Sequence, residues 1–193
     1  CETFSDLFGR CMSKATLARA VSECSHNLAE VNEKIRDLLA GAQVLNVDET
    51  GMRVNGIRQW LHVASTEILT AYGHHRKRGS KAMDDLQILP RFHGTMVHDF
   101  WAPYFRYPSR HALCNAHLLR ELKGITENYH QKWSEQMYDL IQEIKGTVDE
   151  IREHSWSLNP HQVLKFEERY RQIIEAGMLE NPVAEVSGNV LKR

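Results

Sequence analysis

The chain has 193 residues, 42% hydrophobic and 25% charged, which suits one globular domain of ordinary composition with room for a helical appendage. Its 24 Lys and Arg nearly balance its 25 Asp and Glu, which excludes the global positive field of a nucleic-acid coat; an anionic partner must be met by a local patch. Cys1, Cys11, Cys24 and Cys114 are too sparse for a secreted disulfide framework, and no apolar run suits a membrane span or a signal segment, so a reduced, cytoplasmic protein without membrane contact is expected.

The first predicted elements are helical. Between Ser13 and Leu39, apolar residues recur at Leu17, Ala20, Val21, Cys24, Leu28, Val31, Ile35 and Leu38, with Ser13 as a cap and Gly41 as a stop. Residues 1–42 therefore read as an N-terminal helical segment of one or two helices. "LFGRCMSKATLARAV" has a faint helix-turn-helix flavour, which a helix packed on a core explains as well. From Gln43 the period changes. "QVLNVDET" reads as a strand, Asn55-Gly56 is the preferred type I′ hairpin pair, "IRQWLHVAS" returns as a second strand, and "ILTAYGHH" makes a third. "SKAMDDLQIL" then reads as a helix broken by Pro90 and Gly94, and "TMVHDFW" as a fourth strand. From Asn115, a stripe running through Leu118, Leu122, Ile125, Tyr129, Trp133, Met137 and Ile141 to Ile151 marks a long helical region expected to pack through Tyr129, Trp133 and Ile141. A further helix follows "SLNP" around Val163 to Ile174.

A strand leaving a crossover helix most naturally lies parallel to the strand it joins. Three antiparallel strands, a helix and a strand placed beside the first make an α/β, ribonuclease H-like mixed sheet with flanking and inserted α-helices. That order brings Asp48, near the end of one strand, beside Asp99, at the end of another. Adjacent carboxylates suit a hard divalent cation, Mg2+ or Mn2+, and such ions activate an attacking oxygen and stabilise a leaving one in phosphodiester chemistry. Glu49 points to the other face and takes a supporting role at most. A lone Asp at a strand end is most often a turn or cap residue; two at topologically matched ends point beyond that.

"NVDETGMRVNGIRQWLHVAST", "HRKRGSKAMDDLQILPRFHGTMVHDFWAPYF" and "RHALCNAHLLRELK" together closely resemble the central catalytic region of bacterial insertion sequence 66 transposases, from about residue 43 to 125. The resemblance implies DNA transposition by an acidic-triad enzyme of a mobile element. It matches Asp48 and Asp99 to the first two acids, and implies transposon ends and target DNA as partners together with self-association in a transposition complex. It sets a catalytic core at 43–127, incomplete here, and a helical insertion at 128–193. The third acid is expected in an Asn-rich stretch ending in Glu and Arg, which does not occur before Arg193. The chain, starting at Cys1 and ending on "SGNVLKR", reads as a piece of something longer and inactive by itself; Glu121 of "HLLRELK" is the alternative third ligand.

In "HALCNAH", His111, Cys114 and His117 invite zinc, but a structural site wants four ligands and no second Cys-His pair lies nearby. Zinc is disfavoured. Related transposases carry Cys-x-x-His at this place, which makes Cys114 and His117 structural support at a strand-to-helix junction. In "HHRKRGSK", Arg76, Lys77 and Arg78 are a solvated loop on the bland reading and DNA phosphate ligands on the functional one. Phe100, Trp101, Tyr104, Phe105 and Tyr107 read as core around the fourth strand, with Trp101 also suited to stacking on a displaced base. A noncatalytic DNA-binding or assembly module of a transposition complex is the alternative for the chain as a whole.

Overall fold

The computed structural model describes residues 2–152, 154–155 and 157–182. The chain divides into two compact units, Cys1–Ala112 and Leu113–Arg193. Residues 183–193, the end of the expected insertion, lie outside the described residues.

The first unit opens with α1 (Glu2–Phe8), α2 (Lys14–Asn27) and α3 (Ala29–Ala40). Ser13 caps α2 by accepting the Thr16 N–H at 3.0 Å, and Gly41 closes α3. Three strands follow, β1 (Val44–Val54), β2 (Ile57–Ser65) and β3 (Thr70–His75), joined as an antiparallel meander. Asn55 and Gly56 both hold positive φ, 51° and 79°, as a type I′ turn requires, so β1 and β2 pair without interruption from Asn46↔Ser65 to Val54↔Ile57.

The crossover helix α4 (Ser80–Asp85) is shorter than the expected Ser80–Leu89. Gln87 takes φ 59°, so the chain leaves the helix there and makes a 3-10 turn at Leu89–Arg91, with Pro90 in its first turn, where no N–H is needed. β4 (Thr95–His98) then enters parallel to β1, pairing Val44↔Thr95 through Asn46↔Val97. Gly94 makes the entry possible. A Cβ there would lie 2.5 Å from the Gln43 carbonyl oxygen and 2.6 Å from that of Ala42. β5 (Arg110–Leu113) completes the sheet order β3-β2-β1-β4-β5.

One face of this sheet carries the core. Leu45, Val47 and Met96 pack there with Leu39 of α3, Met83 of α4 and Phe92, while Tyr104 and Tyr107 close the cluster. Of the aromatic group expected in the core, Phe100 and Phe105 are instead exposed, at 44% and 49%. They follow the end of β4, where the strand alternation that buries Met96 and His98 no longer applies.

The second unit contains α5 (Asn115–Tyr129), α6 (Lys132–Arg152) and α7 (Pro160–Glu180). The expected continuous stripe breaks at His130, which adopts the left-handed conformation (φ 52°, ψ 37°), and Tyr129 at that break is half exposed rather than packed. Trp133 and Ile141 do pack, with Leu122, Met137, Leu140 and Ile173. Ser134, fully buried, is satisfied by Thr126 at 2.7 Å and the Gln131 carbonyl at 2.8 Å. Among the described residues no helix is long and apolar enough to cross a membrane.

Candidate active site

Alternation along β1 decides which side chains share a face. Leu45, Val47 and Glu49 lie on the core face; Asn46, Asp48 and Thr50 lie on the other. The parallel pairing with β4 ends at Asn46↔Val97, two residues short of Asp48, which lies within β1, and of Asp99, one residue beyond β4. β1 and β4 are neighbours in the sheet, and both carboxylates act on the Tyr104 hydroxyl, which each pushes up. One oxygen of each is fixed locally. Asp48 Oδ1 accepts the Glu49 N–H at 2.8 Å, and Asp99 Oδ1 accepts the Trp101 N–H at 3.0 Å.

Glu49 faces the core and its side chain is 1% exposed. A carboxylate in that position needs partners, because an unpaired buried charge is costly. Arg78 supplies both Nε and Nη2 to the Glu49 Oε1, at 2.8 and 2.7 Å, and the Tyr104 hydroxyl donates to Oε2. Burial pushes the Glu49 carboxyl above its ordinary range, and Asp99 adds to this, while Tyr104 and Arg78 pull it back. The Tyr104 hydroxyl is itself pushed up by burial, and by Glu49, Asp99 and Asp48 around it. The Arg78 guanidinium also lies 4.0 Å from the Trp101 ring centre and 5.0 Å from that of Trp60.

His98, fully buried on β4, extends the polar network. Its Nε2 is 2.9 Å from His111 Nδ1, the His111 Nε2 is 3.1 Å from the Tyr107 carbonyl oxygen, and its own Nδ1 meets the Asp99 carbonyl. Burial pulls the His98 pKa down.

Of the basic stretch, Arg76 and Lys77 are exposed, and the Lys77 backbone is anchored by the His75 ring, whose Nδ1 accepts its N–H at 2.9 Å. Arg78 points inward to Glu49. Trp101, expected in the core with an option on a base, lies against the Arg78 guanidinium. In the second unit, Cys114 is the N-cap residue of α5 and its carbonyl accepts the His117 and Leu118 N–H groups at 3.0 and 3.1 Å, so both residues of the Cys-x-x-His signature sit at the strand-to-helix junction. Glu121 is exposed on α5. Among the described residues no group of three or more His, Cys, Asp or Glu is gathered as a metal site.

The partners of Glu49 escaped sequence reasoning. Arg78 and Tyr104 are 29 and 55 residues away from it along the chain. The one available signal was parity: Glu49 shares its face with Leu45 and Val47, and an acid on a core face demands a counter-charge.

A mixed sheet in which three antiparallel strands are followed by a helix and a fourth strand parallel to the first is the ribonuclease H-like arrangement. The sequence matches the Transposase IS66 family over residues 1–192, and the chain belongs to that family. Among solved structures, the HTLV-2 integrase catalytic core domain, a dimeric form in complex with magnesium, is similar at 12% identity over 78% of this chain and 92% of that one, with a TM-score of 0.31. The strand order β3-β2-β1-β4-β5 makes the fold assignment. No curated protein matches the sequence.

Proposed function

We propose that this chain is catalytic core of a DNA transposase that cuts and joins DNA strands, with Asp48 and Asp99 holding a divalent cation, Mg2+ or Mn2+. The observation that supports the reading is the parallel pairing of β4 beside β1, from Val44↔Thr95 to Asn46↔Val97, with Asp48 and Asp99 each two residues further on. The donor set fits such an ion: carboxylate oxygens on adjacent strands, each steadied by a backbone N–H. When bound, the ion supplies the charge that activates an attacking oxygen and stabilises a leaving one. The chain's own part is to hold the carboxylates and the DNA in place. Arg76 and Lys77, exposed on the loop after β3, serve the DNA backbone. Cys114 and His117 support the start of α5 from its first turn. Residues 43–127 are the catalytic region, and the helices α6 and α7 belong to an insertion that begins at residue 128.

Two carboxylates complete a two-ion site only with a further acidic ligand. This chain alone therefore binds Mg2+ or Mn2+ weakly and cuts DNA poorly. The test is strand cleavage and joining by the full-length transposase on DNA carrying the element's ends. Cleavage that needs Mg2+ or Mn2+ and stops on chelation supports the reading; metal-independent cleavage overturns the metal site, and no cleavage with intact DNA binding assigns the chain to a noncatalytic assembly role. Glu121→Gln in that protein locates the third acid: full activity puts it outside this chain, loss with an intact fold puts it at Glu121.

A further inference from the structure

Arg78 lies in a run of cations that reads from sequence as DNA ligands, yet its guanidinium is engaged within the protein. Two of its nitrogens lie at 2.8 and 2.7 Å from one oxygen of Glu49, while its central carbon lies over the Trp101 ring, 4.0 Å from its centre, and 5.0 Å from that of Trp60. Glu49 follows Asp48 in sequence and donates its N–H to that carboxylate; Trp101 donates its N–H to Asp99. Arg78 thus joins the neighbour of one acid to the residue that holds the other. We propose that Glu49, Arg78 and Trp101 form a strut that positions the Asp99 carboxylate against Asp48, and that Arg78 acts through this strut rather than on DNA phosphate. The inference rests on the reading of Asp48 and Asp99 as metal ligands.

The chemistry of the strut requires arginine. A planar guanidinium can donate from its edge to a carboxylate while its face lies on an indole, and an ammonium cannot do both. Tyr104, donating to the second oxygen of Glu49, fixes the carboxylate that Arg78 reads. Asp99 lies past the end of β4, where strand pairing no longer constrains it. Its position depends on the turn to Trp101, and the Trp101 ring is held by Arg78. A buried Glu that merely needed a counter-charge would be served by any cation and would leave the metal site unchanged when that cation was altered.

The experiment uses the full-length transposase, with Mn2+ binding followed by electron paramagnetic resonance without DNA, and DNA binding followed by fluorescence anisotropy across a salt series without metal. Arg78→Lys, Trp101→Leu and Glu49→Gln each weaken Mn2+ binding about tenfold or more, as loss of a residue supporting a ligand does elsewhere. DNA affinity and its salt slope stay as in the unaltered protein, and Trp101→Phe, which keeps a ring face under the guanidinium, restores most of the Mn2+ affinity. Glu49→Gln and Trp101→Leu stand in should Arg78→Lys not fold, which a melting curve reports. Unchanged Mn2+ binding in the folded variants overturns the strut. So does a DNA salt slope shallower by about one in Arg78→Lys, since that marks a direct phosphate contact. Asp48→Asn and Asp99→Asn separate the two levels: if both bind Mn2+ normally, the metal site falls and the strut with it, whereas loss there beside normal Arg78→Lys overturns the strut alone.

Discussion

A histidine on the core face of β2 stays neutral to remain there. His62 is 6% exposed, its Nε2 lies 3.3 Å from the Lys77 carbonyl oxygen, and burial pulls its pKa below the ordinary value. With the folded pKa depressed, the unfolded chain takes up the proton first as pH falls, so the stability is fully present above about 6.5 and is lost progressively below it. His98 is shifted the same way and adds to the same acid limb. Melting temperature measured from pH 7.5 to 5 should fall less steeply in His62→Gln than in the unaltered protein; parallel curves would show that His62 is not desolvated. Glu49 makes the complementary point about reading such residues. Its inward direction was legible from parity with Leu45 and Val47, but the identity of its partners depended on a loop and a turn that period and propensity do not describe.

At the scale of elements, Gly94 sets where β4 can begin. A methyl group there meets two backbone oxygens within 2.6 Å, and backbone in a paired strand cannot yield as a side chain can. Gly94→Ala should lower unfolding stability by about 2 kcal/mol or more, read from denaturant midpoints at constant slope, and a change within about 0.5 kcal/mol would contradict the close approach of β4 to β1. Gly177 of α7 plays a similar part in the second unit, where a Cβ would lie 2.8 Å from the Trp133 ring. The elements most legible in the sequence were those with strong local chemistry: the Asn55-Gly56 turn, the Ser13 cap, and the alternating strands β1 and β2. Less legible were interruptions. The left-handed residues Gln87 and His130 end helical stretches without a Gly or Pro at the break, and an apolar stripe carries on in register across such a break. The parallel pairing of β4 with β1 followed from crossover topology, whereas the contact of Arg78 with Glu49 did not.

At the scale of the whole molecule, a nearly balanced charge leaves DNA attraction to local groups. If Arg76 and Lys77 each meet a phosphate, replacing both by Ala should make the slope of log K against log salt shallower by about 1.8 for duplex DNA, near 0.9 per contact, measured by anisotropy on the full-length protein. An unchanged slope would return the loop to solvent. On the proposed division, in which these residues set affinity and the acids do the chemistry, the two functions should separate by mutation. The most direct measurement is strand cleavage by full-length Asp48→Asn and Asp99→Asn transposase in Mg2+, with DNA binding followed in the same preparations. Each variant is predicted to lose cleavage by about a thousandfold or more while binding DNA within about threefold of the unaltered protein, because the lost group holds the ion and not the phosphate backbone. Cleavage by either variant at the unaltered rate would contradict the assignment of the site.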